Sequence, residues 1–288
     1  MLAVVEGLET MAYERTGRIA RITLDRPERG NAITFVTPRE LARCVEEANL
    51  DPEVHVIALS GRGKGFCGGY DLAEYAREGL PNHDPSRPWD PAVDWLMMSR
   101  NVRGFMSLFG SEKPVVCKVQ GFCVAGGTDM ALCSDLLVIA ADAKIGYPPA
   151  RVWGSPTTAV WAHRIGVQRA ARLLFTGDSL SGAEAAEWGL AIEAPAPPEL
   201  DERFEVLLER IARVPVSQLV MMKLLLNQTL YSQGLHASQV LGTVFDGLAR
   251  HTPDGYAWAA RAASDGFRAA VRARDEPFGD AGASAFKG

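Results

Sequence analysis

An α/β fold followed by a run of helices is what this 288-residue sequence predicts, and three observations carry the prediction. Residues 54–59 are apolar at nearly every position, the pattern of a strand covered on both faces by helices. That strand runs into a glycine-rich turn over 60–71, and the same order of apolar strand, glycine-rich turn and helix recurs over 115–135. From 199 to 274 the chain is compatible with helix throughout.

Composition narrows the class. With 47% hydrophobic and 23% charged residues the chain is ordinary for a globular protein with a substantial core. A net charge of −5 leaves no nucleic-acid footprint and no attraction to a membrane surface. No apolar run approaches the ~20 residues of a membrane span, and 1–17 lacks the basic start and apolar core of a signal peptide, so a cytoplasmic protein is expected. The five cysteines show no CxxC spacing and sit mostly in apolar segments, which predicts buried free thiols. His55, His83, His163, His236 and His251 are scattered without ligand spacing, so no metal is expected.

Each element has a local reason. Ala20, Ile22 and Leu24 alternate with Arg21 and Thr23, a half-buried strand that ends at the turn 25–28. Thr37-Pro38-Arg39-Glu40 reads as a capping box with proline in the first turn, and Leu41, Cys44, Val45 and Ala48 continue as a helical stripe. The four prolines within 79–91 mark an irregular loop, either an excursion or a lid over a binding site. A helix over 94–109 carries Trp95, Met98, Val102, Phe105, Met106 and Phe109 on one stripe, a methionine and aromatic pattern that is more often core than a cofactor box. Residues 136–140 form a strand, 170–174 a helix, and 182–188 another helix begun by the capping box Ser181 to Glu184 and closed by Gly189. The proline-rich 194–198 is the clearest linker.

The chemistry concentrates in the two glycine-rich turns. At Gly126-Gly127 a helix begins, leaving first-turn amides without intrahelical acceptors beside the positive end of the helix dipole. Asp129 follows three residues later on the same face, and serves either as a carboxylate beside that amide or simply as a favourable helix-start residue. Cys67, in the first turn, has no histidine near it in sequence, and packing is the stronger reading. The GxGxxG match at 63–68 fails as a dinucleotide site, because a proline-rich loop stands where the second strand and its acidic residue belong. P-loop, zincin and nucleophile-elbow motifs do not occur.

These two turns, together with 26–32, 133–135, 175–178 and 183–190, resemble the landmarks of the crotonase family, also called the enoyl-CoA hydratase/isomerase superfamily. The resemblance implies an α/β, crotonase-like spiral of repeated ββα units over 1–194, with a C-terminal helical segment over 199–288 that packs across subunits in a homotrimer or dimer of trimers. It also implies an acyl-CoA thioester as substrate, with coenzyme A part of that substrate and no further cofactor. The family's two oxyanion-hole amides fall by position on Tyr70 and Gly126, and a catalytic carboxylate on Asp129. Gly68, Gly69, Ala150 and Trp153 would line the substrate, and Arg29 and Lys64 would flank the CoA channel, either as phosphate contacts or as solvated surface charges.

The departures from the family pattern bear on the reaction. Family hydratases use two glutamates; here Asp129 stands at the first position and Ala150 at the second, and 153–158 replaces a glycine-rich stretch. A single carboxylate activating water and placing a proton is less favourable than a pair. Three readings follow: enoyl-CoA hydration or isomerisation through an enolate, another CoA-thioester reaction such as hydrolysis or decarboxylation, or a catalytically silent acyl-CoA binding protein.

Overall fold

The computed structural model describes residues 5–74 and 84–279. Strand β1 (Met11–Thr16) and β2 (Ile19–Leu24) form a hairpin with Met11 opposite Leu24; β3 (Val56–Gly61), β4 (Val115–Val119) and β6 (Leu136–Ile139) then add in parallel. A second sheet has the order β5 (Phe122–Val124), β7 (Lys144–Gly146), β8 (Ser179–Ser181). The chain therefore alternates between sheets as it advances from β4 to β7, which is the spiral. It switches sheets at Gly121, where φ is +60° and a Cβ would lie 1.9 Å from the Lys64 carbonyl oxygen, so only glycine fits. β3 is buried on both faces as its composition predicts, with Val56, Ile57, Ala58 and Leu59 all in the core.

Helix α1 (Thr37–Leu50) buries the predicted stripe of Leu41, Cys44, Val45 and Ala48, but its start is not a capping box. The Thr34 hydroxyl accepts from the Val36 and Thr37 amides, while Glu40 accepts from the Glu9 amide at 2.6 Å and from the Thr10 amide and hydroxyl at 2.9 and 2.6 Å. Glu40 thus ties the N-terminal segment down, a partner distant in sequence having outcompeted the local one. Helix α2 (Pro91–Gly110) starts earlier than its apolar pattern suggests, because the Asp90 side chain accepts from the Ala92 amide and Pro91 opens the first turn. Met98, Val102, Phe105 and Phe109 are buried, whereas Trp95 is 36% exposed and leaves the stripe to Asp94, Asn101 and Gly104. Of the lid expected over 79–91, residues 79–83 lie outside the described residues; at its far end Trp89 is anchored, donating from Nε1 to Asp94 at 2.6 Å and stacking on His251.

Short helices α3 (Gly126–Ala131), α4 (Trp161–Ile165), α5 (Val167–Thr176) and α6 (Gly182–Glu187) fill the spiral's turns, and α6 carries the predicted capping box with both arms formed. The segment over 194–198 runs along the edge of β6, with the Ile139 amide donating to Glu193 and the Ala141 amide to Pro195, so it is fastened rather than loose. Beyond it, α7 (Leu200–Ala212) sends Phe204 and Leu208 into the main core. α8 (Val216–Ser232) is fixed by Lys223, which donates to the Leu108 and Lys113 carbonyls and to Asp135. α9 (Leu235–Arg250) packs along α2, and α10 (Pro253–Asp265) and α11 (Phe267–Asp275) form a second, smaller cluster around Trp258.

Candidate active site

The first glycine-rich turn is set by residues upstream of it. Asn31, at φ 54°, donates from Nδ2 to the Arg62 and Gly65 carbonyls, both at 2.9 Å, and accepts from the Arg26 amide. Arg26 and Arg29 both grip Asp71 at 3.0 Å. The Ile33 amide donates to Gly69 and the Asp71 amide donates back to Ile33, a parallel bridge that turns the Tyr70 amide to the opposite side of the pleat. The second turn is fastened to the first through parallel backbone pairing of Cys67 with Cys123, both free thiols, with the Val124 amide donating to the Cys67 carbonyl. Burial pushes the Cys67 thiol up to about 12, so it packs and does not attack.

Between the turns the backbone is strained. Ala125 holds φ 53° and ψ −130°, a region that costs a non-glycine residue roughly 1–3 kcal/mol. That conformation presents the Gly126 N–H, which has no acceptor among the described residues. The Tyr70 ring lies over Gly126, close enough that a Cβ there would sit 2.8 Å from Cε2. Gly69, at φ +93°, brings its backbone against Ala125 and within 3.5 Å, measured from a built Cβ, of the Gly126 nitrogen.

These turns open into a cavity of about 510 Å³. Met97, Met98, Val124, Val152, Trp153, Trp258 and Phe267 make most of it apolar. Of the residues predicted from sequence, Gly68, Tyr70, Gly126 and Trp153 line this cavity, and Gly69 supports it from beneath. Ala150 does not line it; it packs on the main core, and Pro148 and Pro149 take the wall because the segment forms a 3-10 turn that rotates Ala150 away. Arg29 pairs with Asp71 through one nitrogen while its side chain stays 48% exposed, and neither it nor the exposed Lys64 is on the wall.

Asp129 also lies behind the wall. It is 1% exposed, and Oδ1 accepts from the Thr158 amide at 3.2 Å and the Thr158 hydroxyl at 2.9 Å, while Oδ2 has no partner. Burial raises its pKa to about 7, against the lowering effect of the Thr158 bonds. Among the described residues the acidic side chain that does line the cavity is Asp246 of α9, with Arg250 one turn further on the same helix and Tyr147 also on the wall. Sequence reasoning missed this group; the signal was an i,i+4 Asp–Arg pair set among Leu241, Val244, Phe245 and Leu248. The C-terminal helices are therefore not solely an outer segment, since α9, α10 and α11 of the same chain contribute nine of the 23 residues that line the cavity.

Among the described residues no group of His, Cys, Asp and Glu could hold a metal ion, and no helix is long and apolar enough to cross a membrane. Residues 14–252 match the family model described as enoyl-CoA hydratase/isomerase. A crystal structure of an enoyl-CoA hydratase from Mycobacterium smegmatis is 58% identical, covers 98% of this chain and 99% of its own, and superposes with a TM-score of 0.94. A Rhizobium meliloti protein named "Probable enoyl-CoA hydratase" is 30% identical over 77% of this chain and 82% of its own length. The Escherichia coli 1,2-epoxyphenylacetyl-CoA isomerase is 29% identical over 73% and 78%.

Proposed function

Because this chain belongs to the enoyl-CoA hydratase/isomerase family, with the crotonase spiral as its fold, we propose that it is an enzyme of enoyl-CoA chemistry that holds the thioester oxygen between the amides of Tyr70 and Gly126. The observation that carries the reading is the Gly126 N–H, left without an acceptor by the strained Ala125 turn and opening on an apolar cavity. A thioester carbonyl placed there gains its strongest hydrogen bonding as charge moves onto oxygen, so the enolate is stabilised more than the substrate. The apolar walls, drawn from both halves of the chain, suit an acyl chain.

Calorimetric titration with saturated acyl-CoAs and a rate assay over a panel of 2-enoyl and 3-enoyl-CoAs test this. Micromolar binding with turnover of at least one enoyl-CoA supports it. Binding without turnover favours a silent acyl-CoA protein, and release of free CoA favours hydrolysis.

Self-association belongs to the same proposal. Met221, Met222, Leu224, Leu225 and Leu226 of α8 and Leu241, Val244 and Phe245 of α9 are exposed, and large apolar side chains concentrated on two helices mark an interaction surface. A homotrimer or dimer of trimers would cover it. Sedimentation at micromolar concentration is expected to give an oligomer insensitive to salt, because the face is apolar. A monomer under those conditions removes this part of the proposal.

A further inference from the structure

The acyl-CoA reading, on which this inference rests, supplies an enolate but leaves open which group moves the proton. The geometry points to Asp246 as the acid/base that takes a proton from the α-carbon of the bound acyl chain and returns it at the γ-carbon, making the reaction an allylic shift between 3-enoyl and 2-enoyl thioesters.

Asp246 is the acidic side chain among the described residues that line the cavity. Its two oxygens are unequally engaged: Oδ2 accepts from Arg250 Nη1 at 2.7 Å, whereas Oδ1 has only the Ser155 amide at 3.5 Å. Oδ1 is thus the oxygen left to exchange a proton, and it faces Gly154, whose built Cβ would be 3.7 Å from it. The absence of a side chain at Gly154 keeps that space open. Behind Asp246 the support is rigid. Arg250 Nη2 also donates to Asp94 Oδ1 at 2.8 Å, and Asp94 Oδ2 is held by Trp89 Nε1 at 2.6 Å and by His251 Nε2 at 3.0 Å. One guanidinium shared by two carboxylates fixes Asp246 in place while neutralising it only in part.

The groups facing Asp246 are Arg250 on its own helix, Asp94 on α2, Tyr147 and the Ser155 amide from the segment after β7, and Asp129 behind the wall. Burial raises the Asp246 pKa and Asp94 adds to the rise, while Arg250 and the Ser155 amide lower it. A carboxylate so placed is a stronger base than one in water.

The step balances without a co-reactant. The C–H pair at the α-carbon becomes the enolate C=C bond, the thioester π pair moves to oxygen beside the Gly126 N–H, and the proton goes to Asp246 Oδ1. In a 3-enoyl chain the charge extends to the γ-carbon; reprotonation there by the same carboxyl gives the 2-enoyl product. Hydration is served less well by one carboxylate than by two, and among the described residues the cavity wall presents one.

Two readouts test it on the full chain: conversion of 3-hexenoyl-CoA to 2-hexenoyl-CoA followed by absorbance, and exchange of the α-protons of hexanoyl-CoA in D2O followed by NMR. Asp246→Asn is expected to lower both by about 100-fold or more, while the Kd for hexanoyl-CoA stays within about threefold. Wild-type activity should fall as pH drops through the Asp246 pKa, because the base form is lost, and Asp246→Asn should lose that limb. Asp246→Glu, which keeps the charge for Arg250, should retain measurable exchange and serves if the Asn variant does not fold. Asp129→Asn should leave both rates within about fivefold. Equal rates in wild type and Asp246→Asn overturn the inference and leave the acyl-CoA reading standing, as does an acid limb that vanishes in Asp129→Asn instead. Failure of the wild type to bind hexanoyl-CoA overturns the reading beneath it.

Discussion

Replacing Gly126 by proline is expected to lower kcat/KM on any enoyl-CoA substrate by about 10² to 10³-fold, because it removes one of the two amides proposed to hold the thioester oxygen. Proline is tolerated at the first position of a helix, and Gly126 is the first residue of α3, so the helix start by itself does not forbid it. The surroundings are less forgiving: any Cβ at 126 comes within 2.8 Å of the Tyr70 ring and 3.0 Å of Ile33 Cδ1. Gly126→Ala controls for that crowding, since it adds the Cβ and keeps the N–H. The loss beyond alanine measures the donor. Tyr70→Phe keeps its backbone amide and deletes only a hydroxyl bonded to Asn101 at 3.4 Å, so its effect should stay under about tenfold. Gly126→Ala as damaging as Gly126→Pro would place the effect in packing and remove the amide from the mechanism.

Arg151→Leu is expected to destabilise the fold by about 3 kcal/mol, since it leaves buried carboxylates short of a partner. The Arg151 side chain is 2% exposed and donates to Asp178 at 3.1 Å, to Asp275 at 3.0 Å and to the Thr176 carbonyl at 2.8 Å, with the Phe278 ring 4.0 Å from its guanidinium carbon. It is the bolt between the 3-10 turn after β7 and helix α11. Asp178 retains Arg172 and Asp275 retains Arg274, which holds the expected cost toward the lower end of the range for broken buried pairs. Because α11 supplies Phe267, Val271 and Arg274 to the cavity wall, acyl-CoA binding should weaken with stability. Urea denaturation of wild type and variant measures the first effect, and calorimetry under native conditions the second. A stability change below about 1 kcal/mol would show that the cluster offsets its own desolvation and no more.

Much of this protein was legible in its sequence because the relevant signals are local. The alternation at Ala20, Ile22 and Leu24, the doubly buried run of β3, the capping box of α6 and the repeated strand–glycine turn–helix unit all depend on residues within a few positions of one another. The same locality carried the family resemblance, and with it the placing of Tyr70 and Gly126 on the cavity wall, since their backbone positions follow from the two turns that contain them. The tertiary structure alone decided which side chains share the cavity. Glu40, read as half of a capping box, is drawn to Glu9 and Thr10; Arg29, a candidate for phosphate, turns one nitrogen to Asp71; Ala150 turns into the core while Pro148 and Pro149 face the cavity. Asp129 keeps its helix-start position but spends Oδ1 on Thr158 behind the wall, and Asp246, from a stretch read only as compatible with helix, reaches the cavity through the packing of α9 on α2. Secondary structure and turns are written in short-range sterics and hydrogen bonds. The partner of a charged side chain is chosen by whichever groups folding brings within about 3 Å, and that choice is made between residues far apart in the chain.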